Sequence, residues 1–365
     1  MKIVVTGTRG FPDILGGVET HCEELFPRIV AKGYDVVVIR RKSYVHDNLS
    51  SYKGVSLYDI PNLKNKPFES IIHTIRAIWT AKTKFHADII HIHAIGPALL
   101  THFAHLLKLK VVFTHHGPDY DRDKWGKVAR FMLRLGERTG SVYADKVIVI
   151  SNVINDIIKK KYGRNDAYLI HNGVNPAVIV DDPDYLSSLG IEAHKYIFAM
   201  GRFVPEKNFH ALIEAFSNLN QSEYKLVIAG DADIEDKYSL DLKLMAKEKN
   251  VILTGFIKGS KLQALLSNAG LFVLPSSHEG LPISLLEAMS YNLPVLASDI
   301  PANKEVNLPP ACYFHIKGNI VENLQKALET KINDNSAVSY DLSLYDWDNI
   351  TEQTIKVYHE LVISD

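Results

Sequence analysis

The stretch SSHEGLPISLLEAMSYNLPVLAS, residues 276–298, holds two glutamates, Glu279 and Glu287, with seven residues between them. After Glu279 a turn through Gly280 and Pro282 runs into an apolar helical pattern carrying Leu285, Leu286 and Met289. Proline is tolerated at a helix start, because the first amides have no acceptor within the helix. The pattern stops near Asn292, before Pro294, and the short run Val295–Ser298 resumes a strand. A loop that opens a helix in this way turns backbone amides and the positive end of the dipole toward whatever lies above 281–284. That environment suits a phosphate.

Two carboxylates beside a phosphate site conflict unless each faces a different part of a larger ligand. A carboxylate accepts two hydrogen bonds from a vicinal diol, so one glutamate suits a ribose and the other a second sugar. A nucleoside diphosphate sugar presents diol, diphosphate and hexose in that order. An ordinary amphipathic helix with two solvated glutamates is the other reading of the same residues.

Three further blocks precede the stretch: GRFVPEKN (Gly201–Asn208), IAGD (Ile228–Asp231) and TGFI (Thr254–Ile257). The four together, in this order, resemble the signature of the retaining glycosyltransferases of family four, and the resemblance covers nearly the whole chain. It implies an α/β protein of the GT-B kind, with two Rossmann-like doubly wound domains facing a cleft and a C-terminal helix crossing back to the first. The domains expected are 1–172 plus about 346–365 for the acceptor, and 173–345 for the nucleotide sugar. Arg202 and Lys207 match by position the cations that hold the donor diphosphate. Glu279 would hold the hexose, Glu287 the ribose, and His116 would contact the donor sugar from the first domain. Gly16, Gly17, Gly230, Gly280, Leu281, Pro282 and Ile283 would bring backbone close to the donor, with Phe256 and Ile257 in a turn against the base. Asp119 and His93 are the acceptor candidates, and no metal or other cofactor is expected.

Composition agrees with such a protein. A chain of 365 residues with 46% hydrophobic and 23% charged content suits two soluble domains. Two cysteines, Cys22 and Cys312, give no disulfide framework and fit a reducing compartment, so a cytoplasmic protein is expected. No apolar run reaches membrane-spanning length; the nearest, residues 87–113, is broken by histidines and lysines. The net charge of −1 hides an asymmetry: residues 1–175 carry 26 Lys and Arg against 16 Asp and Glu, +10, leaving −11 for the remainder. Opposed halves suggest an anionic partner for the first half, and nothing points to nucleic acid.

Along the chain, strands alternate with helices. Residues 2–6 read as a buried strand, followed by GTRGFPDILGGVET, which is not a dinucleotide fingerprint because no G-x-G-x-x-G occurs. A helix over about Val18–Lys32 follows, then strands at Asp35–Arg40, Val55–Ile60, Asp88–His93, Lys110–Thr114 and Asp145–Ser151. Helices are expected at Glu69–Lys84, from Pro97 and over Asn152–Tyr162. A second series begins at Tyr196–Met200, and the tail at Asp346–Val362 reads as an amphipathic helix with Asn349 as its N-cap. In open parallel sheets ligands sit beyond the carboxyl ends of the strands. His91, His93, His115, His116 and Gly117 fall there.

Other patterns compete for the chemistry. Sixteen histidines raise the question of zinc, but no H-E-x-x-H and no Cys–His spacing appears. Asp121 with Asp123, and Asp231 with Asp233, form D-x-D pairs that a solvated face or a helix start explains better than a metal. Lys124, Lys127, Arg130, Arg134 and Arg138 recur at helical spacing and could present one basic face to anionic lipid head groups, or merely to water. The leading expectation is a metal-independent retaining glycosyltransferase moving a hexosyl residue, from a UDP-sugar by preference, to a glycan or lipid-linked saccharide in cell-surface polysaccharide synthesis. A nucleotide-sugar epimerase and a non-catalytic nucleotide-sugar binder are the rivals.

Overall fold

A computed structural model of the chain describes residues 1–62, 69–121, 126–219, 223–332 and 338–363. It divides into two compact units, Met1–Gly173 with Tyr345–Asp365, and Val174–Leu344.

The first unit is built on eight strands: β1 (Lys2–Thr6), β2 (Asp35–Arg41), β3 (Ser51–Tyr52), β4 (Val55–Ile60), β5 (Ile89–His93), β6 (Lys110–His115), β7 (Lys146–Val149) and β8 (Tyr168–Leu169). Their order across the sheet is β3-β4-β2-β1-β5-β6-β7-β8. The central runs IVV, VVVI and VVF are apolar almost without a break, as strands covered on both faces must be. All neighbours pair in parallel except β3 and β4, which form an antiparallel hairpin at one edge. Its two-residue turn, Lys53-Gly54, has φ of 45° and 86°, a conformation that matches the twist of the strands it joins.

The second unit carries β9 (Tyr196–Met200), β10 (Lys225–Ala229), β11 (Ile252–Gly255), β12 (Leu271–Leu274), β13 (Val295–Ser298) and β14 (Tyr313–Phe314). The order is β11-β10-β9-β12-β13-β14 and every pair is parallel. In both sheets the order reverses at the first strand of the series, so the loops leaving β1 and β5, and β9 and β12, diverge and open a crevice above the sheet.

The last helix, Trp347–Ile363, belongs to the first unit. Its inner face buries Trp347, Ile350, Val357 and Tyr358 against Phe26, Ile29 and Ile89. The Tyr358 hydroxyl lies 2.7 Å from His91 Nδ1, while His91 Nε2 meets Thr114 Oγ1 at 2.7 Å. His91 is therefore a satisfied core histidine that pins the tail to β5 and β6. The cap of this helix is Asp346, whose carboxylate accepts from the Asn349 amide at 2.8 Å, rather than Asn349 itself. Including the tail lowers the first unit's charge. It holds 27 Lys and Arg against 21 Asp and Glu, +6, and the second unit holds 14 against 21, −7.

Where one helix was expected from Pro97, two short ones stand, Ile95–Ala98 and Thr101–Leu106. The helix Lys127–Tyr143 crosses close to the first of them, because Gly136 and Gly140 leave room: a Cβ at 136 would lie 2.1 Å from the Ile95 carbonyl oxygen. Among the described residues no helix is long and apolar enough to cross a membrane.

Candidate functional site

In the second unit the blocks separated in sequence meet at the carboxyl ends of the strands. Backbone bonds tie the loops together: Gly201 N–H donates to Ala229, Phe203 N–H to Asp231 and Gly230 N–H to Gly255. Glycine at 230 is required by contact, since a Cβ there would stand 1.9 Å from the Gly201 carbonyl oxygen, at φ 135°. The loop after β9 is joined in turn to the loop after β12. Ser277 N–H donates to the Glu206 carbonyl at 2.8 Å, and Asn208 Nδ2 donates to the Pro275 carbonyl at 3.0 Å. Asn208 thus occupies the N-cap position of the helix Phe209–Ser217 in a left-handed conformation, but its side chain staples two loops instead of capping.

This scaffold sets Lys207 against Glu279, with Nζ 2.5 Å from Oε1 and both side chains largely buried. Arg202 pairs with Asp233 at 3.2 Å, and Asp231 pairs with Lys243 at 2.9 Å. Both acids of the second D-x-D pair are thus ion-paired while remaining in contact with solvent. Asp123 and Lys124 of the other patterns lie outside the described residues. The helix expected after Glu279 runs over Ile283–Ser290, with Pro282 as its N-cap, and Asn292 beyond its end has φ 53°. Glu287 lies on that helix and is half-buried, Gly280 is half-buried, and Leu281, Pro282 and Ile283 are buried. Phe256 is 40% exposed just past β11, with Ile257 half-buried beside it.

The first unit presents a different constellation. Arg9 and Glu19 close the loop after β1 onto the helix Gly17–Ala31. Glu19 accepts from Thr8 Oγ1 at 3.2 Å, from the Arg9 amide at 3.0 Å and from Arg9 Nη2 at 2.9 Å. A side chain at Gly16 would strike both groups, whereas one at Gly17 would meet nothing within 4 Å. One turn into the helix, His21 faces inward. It gathers with His93 at the end of β5 and His116 beyond β6: ring centroids lie 5.1 Å apart for His21–His116 and 5.2 Å for His93–His116. His93 Nδ1 and His116 Nε2 are 2.8 Å apart, and His21 Nδ1 lies 3.0 Å from Asn172 Oδ1. An amide oxygen only accepts, so His21 carries its proton on Nδ1 and keeps its lone pair on Nε2. Burial, reinforced by neighbouring imidazoles, drives the pKa of His21 and His93 far down and that of His116 to about 3. All three rings are neutral at pH 7. His93 is fully buried, with Nδ1 against His116 Nε2.

The loop bearing His116, Gly117 and Asp119 is braced from beneath by Glu137, a residue without sequence signal. Its carboxylate is fully buried and accepts from His115 Nε2 at 3.1 Å, Tyr120 at 2.9 Å, Tyr162 at 2.6 Å and Lys161 at 3.2 Å. His115 Nδ1 in turn accepts from the Gly117 amide at 3.1 Å. Burial works against the charge, but the hydrogen bonds from His115 and Tyr162 and the charge of Lys161 outweigh it, holding the carboxyl near 2. His21 had a sequence signal: with Leu25 and Ile29 it recurs every four residues, on the stripe that packs inward.

Two family profiles cover most of the chain between them, "Glycosyltransferase Family 4" over residues 15–178 and "Glycosyl transferases group 1" over 181–342. The chain belongs to this family of glycosyltransferases. Among its relatives, an uncharacterised glycosyltransferase of Methanocaldococcus jannaschii is 25% identical over 98% of this chain and 98% of its own. The UDP-Gal:alpha-D-GlcNAc-diphosphoundecaprenol alpha-1,3-galactosyltransferase of Escherichia coli is 26% identical over 83% and 81%. Of solved structures, Anabaena HepE in complex with UDP and glucose superposes with a TM-score of 0.78 at 17% identity, over 99% of this chain and 100% of its own. The two parallel α/β units are thus those of the GT-B fold.

Proposed function

We propose that this glycosyltransferase is retaining and metal-independent in its chemistry, moving a hexosyl residue from a nucleoside diphosphate sugar, UDP-sugar by preference, to a glycan or lipid-linked saccharide in cell-surface polysaccharide synthesis. The observation that carries the proposal is the Lys207–Glu279 pair, which joins two loops at the carboxyl ends of β9 and β12, the first of which also carries Arg202. A cation and a carboxylate held at 2.5 Å are ready to exchange partners. An incoming diphosphate takes Lys207, and Glu279 is released to accept from the hexose hydroxyls. Arg202 leaves Asp233 for the same diphosphate, where its planar fork fits two oxygens.

As the bond from the sugar C1 to the phosphate oxygen breaks, negative charge grows on the diphosphate. Arg202 and Lys207, already moved onto the diphosphate when the donor bound, and the first amides of the helix Ile283–Ser290 stabilise it. The acceptor oxygen bonds C1 on the same face, and its proton passes to the departing phosphate oxygen. Glu287 holds the ribose diol, the turn at Phe256 and Ile257 lies against the base, and Gly230 keeps the loops close enough to form the floor. His116 contacts the donor sugar as a neutral imidazole, with Asp119 and His93 on the acceptor side. The name of the E. coli relative, with its UDP-sugar donor and diphosphate-lipid acceptor, and the UDP and glucose of the Anabaena protein support this choice of substrates.

The acceptor also bears on the helix Lys127–Tyr143. Its outer face carries Lys127, Arg134 and Arg138 beside exposed Val128, Phe131 and Leu135. Cations next to apolar side chains suit the interface of an anionic membrane. An open pocket of about 500 Å³ adjoins it, lined by Tyr120, Asp121, Arg134, Ile157, Lys161 and Tyr162. The test is turnover of a nucleotide-sugar panel with lipid-linked acceptors, in excess chelator, with the product anomer read by NMR. The donor's own anomeric configuration in the product, at an unchanged rate with chelator, is expected. An inverted product or a metal-restorable loss refutes the mechanism, and free nucleotide without acceptor favours an epimerase or hydrolase.

A further inference from the structure

His21, His93 and His116 come from three elements separated by 72 and 23 residues, which is why no motif betrays them. Each offers a ring nitrogen, and the three nitrogens lie within 4.8 Å of one another. Tetrahedral zinc with nitrogen ligands at about 2.0–2.1 Å separates those nitrogens by roughly 3.3 Å. Small ring rotations therefore suffice to close the set. A second observation concerns satisfaction: His93 Nε2 is buried and has no hydrogen-bond partner among the described residues. Buried polar atoms left this way call for an explanation, and a turn of the ring that trades the Nδ1–His116 contact for an ion at Nε2 is one. A third is the support behind the ligands. Asn172 Oδ1 fixes the His21 tautomer at 3.0 Å so that Nε2 is the free lone pair, the arrangement by which metal-binding histidines are oriented. Trp347 packs 5.6 Å from the His21 ring and holds it in place.

The geometry points to a binding site for a divalent transition-metal ion of the zinc class at His21, His93 and His116. Three imidazoles and no carboxylate select such an ion over magnesium or calcium, which take oxygen ligands. The open fourth position would face water or a ligand. An ion there would be inhibitory, because it withdraws His116 from the donor sugar. Only that consequence rests on the role proposed for His116; the binding does not.

The full-length chain, stripped with chelator and dialysed, is titrated with Zn²⁺ alone by calorimetry, without donor or acceptor. One ion per chain is expected for the parent, and His21→Gln should bind at least about tenfold more weakly. Asn172→Leu, which keeps all three rings but removes the brace, should lose about 10- to 100-fold. It serves if His21→Gln does not fold, as judged by circular dichroism. A parent that binds no Zn²⁺, or the same affinity in parent and folded variants, overturns the site and assigns any uptake to surface pairs such as His105–Asp145. In the transfer assay, Zn²⁺ should slow the parent and spare His21→Gln relative to its own zinc-free rate. Full activity of the zinc-saturated parent overturns the inhibitory role.

Discussion

Replacing Glu137 with Gln should destabilise the first unit by about 3 kcal/mol. The carboxylate is fully buried and accepts four hydrogen bonds, from His115, Tyr120, Tyr162 and Lys161. Removing one partner of a buried charged pair costs about 3–5 kcal/mol. Lys161 is 43% exposed and can turn to water, which places the loss at about the lower end. The amide keeps one acceptor oxygen but forces its NH₂ against donors on the other side, so no compensation follows. For a unit of this size each kcal/mol moves Tm by about 2–4 °C, giving a fall of roughly 6–12 °C in the transition that includes the first unit. The pH dependence supplies the sharper test. The folded carboxyl is held near 2 against an ordinary 4.5, so its stabilisation is complete above 4.5 and fades as pH falls toward 2. Differential scanning calorimetry of parent and variant at pH 7 and at several values down to pH 3 would show the gap in Tm narrowing on acidification. A gap under about 2 °C at pH 7, or one that stays constant to pH 3, refutes the account of Glu137 as a charged brace.

Three further outcomes are expected. Lys207→Ala and Arg202→Ala should each lower kcat by about 100- to 1,000-fold with little change in Tm, and activity within twofold of the parent in both would remove them from the diphosphate. Glu287→Ala should chiefly weaken nucleotide binding, measured by calorimetry with UDP, while Glu279→Ala should reduce turnover and blur the choice between donor epimers; unaltered epimer discrimination in the latter would end its assignment to the hexose. Binding to anionic vesicles in sedimentation should exceed binding to neutral ones at low salt and fall at moderate salt. Equal, negligible binding would return the face of Lys127–Tyr143 to water.

Most of the fold was open to inspection in the sequence because parallel strands covered on both faces advertise themselves. The runs at 36–39 and 295–297 are apolar, 55–60 is a mixed run bounded by Gly54 and Pro61, and the structure places strands there. The two-residue strands Ser51–Tyr52 and Tyr313–Phe314 carry no periodicity and owe their existence to a neighbour's free edge. The donor-side candidates were legible as blocks, yet the pairing of Lys207 with Glu279 was not, because it depends on two loops brought together by backbone bonds across 72 residues. Nor did the pattern Lys124–Arg138 reveal its apolar half. The helix that follows is exposed along Val128 and Phe131 as well as along its cations, and only packing tells which residues are left outside.

The tail that pins Tyr358 to His91 also sets an order of completion during synthesis. Residues 174–344 are contiguous, so the unit they form has all its strands as soon as the ribosome has passed them. The first unit has its whole sheet far earlier, but Phe26, Ile29 and Ile89 stay uncovered until the final helix emerges. An apolar surface on a nascent chain that waits through some 170 residues of further translation, about 10–35 s at bacterial and eukaryotic elongation speeds, is a target for chaperones. The half of the molecule that is translated first is therefore the half that matures last, and premature termination between residue 344 and the final helix would leave a finished second unit attached to an unsealed first one.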